Sequence, residues 1–215
     1  IMTGLPGYLV VLFLMQLLWW FGIHGPNVMG AVTSPFMTKM MATNLALYQA
    51  GEGVSASGVF YQAGSQYSII ASPFEAGWRC PTGSGITGGL IIAVLLFSKR
   101  DDFKAIAKLA IPCGIFNINE PIIFGIPMVM NPMFAVPFFL APIACASLGY
   151  LVQYLGLCPL FVISVPWTTP VGLFGFLASS GNIMGGIWQA VIIIGASTLI
   201  YTPFVIASNR QEEAA

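Results

Sequence analysis

Apolar runs alternate along the chain with stretches where Gly, Pro, Ser, Thr and Asn break the hydrophobic pattern. A helical membrane span takes roughly 20 mostly apolar residues. Residues 8–23 meet that length with help from their flanks. Residues 86–97 are fewer and begin in glycines, which predicts the end of a span or a tilted one. Residues 122–157 are long and uncharged, with prolines at 127, 132, 137 and 142. They predict one broken segment followed by one span. Residues 183–207 predict a last span interrupted only by Pro203. Two stretches fit less well. Residues 28–50 carry Lys39 and several polar groups at loosely helical spacing, which predicts a helix along the interface or over a cavity. Residues 51–85, rich in Gly, Ser and Gln and holding Glu52, Glu75 and Arg79, predict a loop outside the hydrocarbon. No internal repeat of useful strength is visible.

Composition agrees with a membrane protein. Hydrophobic residues make up 57% and charged residues 7% of the chain, against about a quarter charged in soluble domains. Seven basic residues balance seven acidic ones, which argues against nucleic acid as a partner. No charged leader precedes the first apolar run, and the chain reads as the later part of a longer protein. Four of the basic residues, Lys99, Arg100, Lys104 and Lys108, fall in the single segment SKRDDFKAIAK. By the positive-inside rule that segment is cytoplasmic, and Arg210 after the last span places the C-terminus there as well. The four cysteines show no CxxC spacing and there is one histidine, so a metal site is not expected. Nothing implies a cofactor.

Three stretches carry chemistry that lipid does not favour. From Leu109 to Asn209 the sole charged residue is Glu120. An ionised carboxylate at membrane depth costs at least ~2.5 kcal/mol, so Glu120 is expected to face a polar cavity or bundle interior, with burial raising its pKa. Pro121 disfavours helix at Glu120 and predicts a backbone break there. Such breaks are tolerated only where they line a cavity or pack in protein. The second stretch, FGIHGPNVMG, puts His24 at the end of a span, with Gly25 and Pro26 ending the helix and Trp20 one turn back on the same face. The third, SVPWTTPVG, brackets Trp167, Thr168 and Thr169 between prolines and predicts a re-entrant hairpin over residues 160–182. A carboxylate, an amide, an imidazole, hydroxyls and flat indoles suit an uncharged polyhydroxylated ligand. A phosphate site calls for nearby Arg or Lys, and a sugar fits better. On the residues alone, a proton- or ion-coupled transporter and a non-transporting membrane scaffold stay open.

GIFNINEPIIFGIPMVMNP, with FGIHG before it and VPWTTP after it, strongly resembles the signature of the enzyme IIC sugar permeases of the bacterial phosphotransferase system, in the lactose, cellobiose and diacetylchitobiose branch. The resemblance runs from about Gly4 to Ala207. It implies an all-α integral membrane protein with multiple transmembrane helices and two re-entrant hairpins around the sugar, multi-pass in the bacterial inner (plasma) membrane. It implies that residues 1–215 are the C-terminal, substrate-binding part of a IIC domain whose earlier spans lie outside this chain. It further implies a disaccharide substrate, a soluble IIB partner bearing a phosphorylated cysteine, and a homodimer in the full-length protein. By position in the motifs, His24, Asn119, Glu120 and Trp167 match the sugar-binding residues, and Glu120 is the catalytic group that takes the proton from the phosphorylated hydroxyl.

Overall fold

The computed structural model describes residues 4–56 and 58–213, and side chains as far as Asn209. α1 (Leu5–Trp20) starts where Pro6 fits the first turn, whose N–H groups have no intrahelical partner in any case. It ends in a Schellman cap. Gly22 takes φ 81°, its N–H bonds Trp19 O, and the Ile23 N–H bonds Leu18 O at 2.9 Å. α2 (Gly25–Gln49) leaves at once and crosses α1 so closely that a β-carbon on Gly25 would lie 1.9 Å from the Met15 carbonyl oxygen. Then come a small antiparallel hairpin, β1 (Val54–Ser55) with β2 (Gly58–Val59), and the helices α3 (Ser72–Trp78), α4 (Gly88–Phe97), α5 (Asp101–Ile115), α6 (Glu120–Gly125), α7 (Pro132–Tyr154), α8 (Leu173–Ala178) and α9 (Ile183–Ala190). α9 runs through π-helical turns at Val191–Ala196 directly into α10 (Ser197–Glu213).

Among the described residues two helical runs, Pro132–Tyr154 and Ile183–Asn209, are long and apolar enough to cross a bilayer. Residues 122–157 divide as their prolines predict, into short α6 and long α7. Asn131 caps α7 by accepting from the Met133 N–H at 3.0 Å. The first apolar run stops at Trp20, and its 16 residues rise roughly 24 Å. The interruption expected at Pro203 does not occur, since that proline sits inside α10. The departure from α geometry falls instead at Val191–Ala196, a run with no proline. The reading of the C-terminus from Arg210 rests on a side chain outside the described residues.

The loop expected over residues 51–85 holds only for its first half. From Tyr67 the chain enters the core, and Phe74 and Trp78 of α3 are fully buried. Trp78 lies parallel to Phe161, 5.4 Å between ring centres, in a cluster with Tyr8 and Phe174. The small residues that read as loop permit this close packing. A second cluster joins α4, α6, α7 and α10 through Leu90, Ile122, Phe134, Phe138 and Tyr201. Buried amides tie the irregular segments to these cores. Gln189 accepts from the Gly172 and Gly175 N–H groups at 2.9 and 2.8 Å and donates to Gly77 O at 2.8 Å. Asn209 accepts from the Lys99 N–H and donates to Phe97 O. Each satisfies backbone groups that no helix pairs. Between α7 and α9 the chain doubles back, the Val162 and Ile163 N–H groups both donating to Ala178 O.

Candidate functional site

The two motifs that break the apolar pattern have the same local architecture. Phe21-Gly22-Ile23-His24-Gly25-Pro26 ends α1 and starts α2, and Phe116-Asn117-Ile118-Asn119-Glu120-Pro121 ends α5 and starts α6. In both, the phenylalanine is the C-cap, and the next residue takes positive φ, 81° at Gly22 and 66° at Asn117. The isoleucine N–H reaches back to close a Schellman cap, Ile23 to Leu18 O and Ile118 to Cys113 O at 3.0 Å. His24 or Asn119 is then the N-cap, and the proline sits in the first turn of the new helix. In sequence this short repeat is faint, because only the phenylalanine, isoleucine and proline are identical. It corrects the reading of His24: Gly25 and Pro26 open a helix rather than end one. Because α1 stops at Trp20, the ring against the imidazole is Trp19, at 4.8 Å between centres, and not Trp20.

His24 Nδ1 accepts from the Asn27 N–H at 3.3 Å. That bond places the imidazole proton on Nε2, which is left as a donor. Asn119 is buried, and its amide nitrogen donates to Ser84 O at 2.6 Å and Thr87 Oγ1 at 3.0 Å. Its side-chain oxygen is what it has to offer a ligand. Asn117 holds the neighbouring loops together. Its Oδ1 accepts from the Thr82 N–H at 2.6 Å, and its Nδ2 donates to Trp167 O at 2.5 Å and Thr169 O at 2.9 Å. One buried amide therefore ties the turn before α4, the α5–α6 junction and the Trp167 loop.

These segments enclose a cavity of about 930 Å³, within the range of small-molecule sites. His24, Asn119, Glu120 and Trp167, named from separate stretches of sequence, all line it, as does Trp19. α2 contributes a stripe from Pro26 through Gly30 and Ser34 to Thr38, so this helix walls a cavity, one of the two places expected for it. Glu120 departs from expectation. It is exposed rather than buried, because the break it shares with Pro121 opens onto the cavity and not into the packed core. Trp167 is 54% exposed. The absence of a basic residue near the site is also corrected, since Arg79 of the presumed loop lies in the wall with Glu75. Nothing in the local sequence marked Arg79 for this place; its 3.0 Å pairing with Glu75, four residues earlier on one helical face, is the signal available. The cavity presents a carboxylate acceptor, an imidazole donor, an amide oxygen and two indoles, a set that matches hydroxyls on a ring with apolar faces.

The model of the family "Phosphotransferase system, EIIC" matches residues 1–142. The chain is 34% identical over 210 residues to the oligo-beta-mannoside-specific EIIC component of Bacillus subtilis (strain 168), covering 97% of this chain and 44% of that protein. It is 35% identical over 218 residues to the cellobiose-specific EIIC component of Lactococcus lactis subsp. lactis (strain IL1403), covering 95% and 43%. Among solved structures it resembles the transporter ChbC, the IIC component from the N,N'-diacetylchitobiose-specific phosphotransferase system, with TM-score 0.88, 34% identity, and coverage of 99% of this chain and 46% of that one. The chain thus spans less than half the length of these relatives.

Proposed function

This chain belongs to the EIIC family of the phosphotransferase system, a family of integral membrane proteins, and from that premise we propose that it is the substrate-binding part of a permease that holds a disaccharide while a partner phosphorylates it. The observation that carries the reading is the convergence of His24, Asn119, Glu120 and Trp167 on one cavity. In this reading the indole of Trp167 covers an apolar face of the sugar, and His24 Nε2–H and Asn119 Oδ1 bind hydroxyls. Glu120 takes the proton from the hydroxyl that receives the phosphoryl group. The donor is the phosphorylated cysteine of a soluble IIB partner; one relative, from Staphylococcus aureus, is named as a lactose-specific EIICB component. The α5–α6 junction and the doubled-back residues 160–182 are the two re-entrant hairpins, and residues 1–215 form the C-terminal part of a IIC domain that is a homodimer in the complete protein. The chain sits in the bacterial plasma membrane with its C-terminus in the cytoplasm. The proton- or ion-coupled alternative is set aside on family membership. The test is calorimetric titration of the chain in lipid nanodiscs with a panel of β-linked disaccharides. Binding of none of them removes the reading.

Two further outcomes are expected. His24→Ala weakens disaccharide affinity by about tenfold, because a net hydrogen bond of ~0.5–1.5 kcal/mol is lost and its partner is left unpaired. Thermal stability changes much less, since His24 contributes a local cap bond and one ring contact, with Trp19. Unchanged affinity in a less stable variant makes His24 a packing residue instead. For orientation, Ala105 is exposed in the basic segment on α5. In a cysteine-free background, Ala105→Cys is expected to react with an impermeant thiol reagent from the cytoplasmic side. Reaction only from outside overturns the topology.

A further inference from the structure

A second cavity, of about 230 Å³, shares no lining residue with the first but borders the same segments. Thr82 lies in its wall, and the Thr82 N–H donates to Asn117 Oδ1. Pro170 and Val171 lie there too, directly after Thr169, whose carbonyl accepts from Asn117 Nδ2 at 2.9 Å. The rest of the wall is Ile91 and Ile92 of α4, Ile111 and Ile115 of α5, and two glycines, Gly88 and Gly114, that leave room. Among the described lining residues Thr82 is the one polar side chain, and its hydroxyl oxygen accepts from the Gly88 N–H at 2.9 Å. An unfilled apolar void forfeits dispersion contacts along its lining. Cavities of about 150 Å³ with such walls stay dry and take up apolar molecules. This one has its mouth at α5, where Ile111 is 37% and Ile115 50% exposed.

α5 also says what the apolar occupant carries. Lys104, Lys108, Ile111 and Ile115 follow one another at spacings of four, three and four, so they form one stripe along the helix. The apolar half of the stripe lines the cavity. The basic half lies within about 16 Å of rise from Ile115, toward the end that the positive-inside rule places at the cytoplasmic surface. Lys108 is exposed and Lys104 half-buried, and neither has an ion-pair partner among the described residues. Asp101, one turn before Lys104, is not paired with it. Two ammonium groups followed by an apolar slot match the order of an anionic phospholipid, phosphate first and acyl chain next. A purely apolar ligand leaves the lysines unused, and a free phosphate leaves the slot unfilled.

We propose that the α5 stripe and this cavity form a site for one anionic phospholipid whose occupation favours sugar binding. The phosphate sits at Lys104 and Lys108, and one acyl chain packs against Ile91, Ile111 and Ile115. The same chain packs on Pro170 and Val171, next in sequence to the Thr169 that Asn117 holds. Lipid therefore steadies the loop that carries Trp167, and the two sites are positively coupled. The lipid site stands on its own geometry, and its effect on sugar rests on the permease reading.

The test makes two measurements on the whole chain. Native mass spectrometry from detergent compares retention of phosphatidylglycerol with that of phosphatidylcholine bearing the same acyl chains. Preferential retention of one phosphatidylglycerol is expected. The preference should be lost in Lys104→Gln with Lys108→Gln, and reduced in Ile111→Trp, which puts an indole in the mouth. Equal retention of both lipids, or wild-type retention in either folded variant, overturns the site. Cellobiose titration then compares nanodiscs of phosphatidylcholine alone with discs containing phosphatidylglycerol. Affinity is expected to be about fivefold higher with the anionic lipid, at the low end of couplings between sites, and the difference to vanish in the double-lysine variant. Equal affinity in the two discs overturns the coupling. Failure to bind cellobiose in either disc overturns the permease reading, while lipid retention still decides the site.

Discussion

Glu120→Gln is expected to slow sugar phosphorylation by about a hundredfold or more while leaving membrane insertion and folding intact, because positioned acid–base groups typically contribute 10²–10⁴-fold. The carboxylate is exposed to the cavity, and no hydrogen bond from another described residue holds it. The fold therefore makes little demand on its charge. Glu120 is the first residue of α6, where a negative charge faces the positive end of the peptide dipoles, and replacing it with an amide there costs only about 0.3–1 kcal/mol. The chemistry is different. An amide of the same shape still hydrogen-bonds a hydroxyl but does not accept its proton, so the hydroxyl that attacks phosphorus has no base beside it. Loss should then appear in the rate and far less in sugar affinity, the pattern of an interaction made mainly in the transition state. The assay is phosphorylation of bound cellobiose by a phosphorylated IIB partner, with thermal unfolding measured in parallel. A wild-type rate would remove Glu120 from the mechanism.

How much of this was legible in the sequence depends on what made each feature visible. A lone carboxylate in a hundred-residue uncharged stretch is visible because hydration energy makes it costly anywhere but a cavity, and Glu120 does line one. That argument fixes the need for polar surroundings and not for burial, and the same carboxylate is exposed. Prolines at 127 and 132 marked the division between α6 and α7, because missing N–H groups act locally. Pro203 marked nothing, since one lost bond within a long packed helix is tolerated. Residues 67–85 were misread for a physical reason. Gly and Ser are small both in loops and where helices pack closely, and composition does not tell the two apart. The buried place of Trp78 against Phe161 depends on residues more than eighty positions away. The pairing of Glu75 with Arg79 was available at four-residue spacing, but its location in the cavity follows from long-range packing. Asn117 stands in the motif with no role that its neighbours reveal, because its partners Thr82, Trp167 and Thr169 are distant in sequence.

That amide gives the second large effect. Asn117→Ala is expected to destabilise the protein by about 4 kcal/mol or more and to weaken sugar binding by more than tenfold. Two causes combine. Each buried group left without a partner costs about 1–3 kcal/mol, and the Thr82 N–H and the Trp167 and Thr169 carbonyls all lose theirs. The backbone at Asn117 also takes φ 66°, a conformation that asparagine adopts readily and alanine at a cost of roughly 1–2 kcal/mol. Asn117→Gly separates the causes, because glycine accepts the positive φ without strain but carries no side chain to join the three segments. Glycine should therefore recover part of the stability lost in the alanine variant and none of the sugar affinity, since Trp167 stays released in both. Asn117→Asp makes the complementary change: one oxygen still accepts from Thr82, and the other faces two carbonyl oxygens with no proton between them. It too should lose affinity. Thermal unfolding and cellobiose titration on the three variants read both quantities. If the glycine variant bound cellobiose like the wild type, the amide would serve only the backbone turn, and the Trp167 loop would be held in place by packing alone.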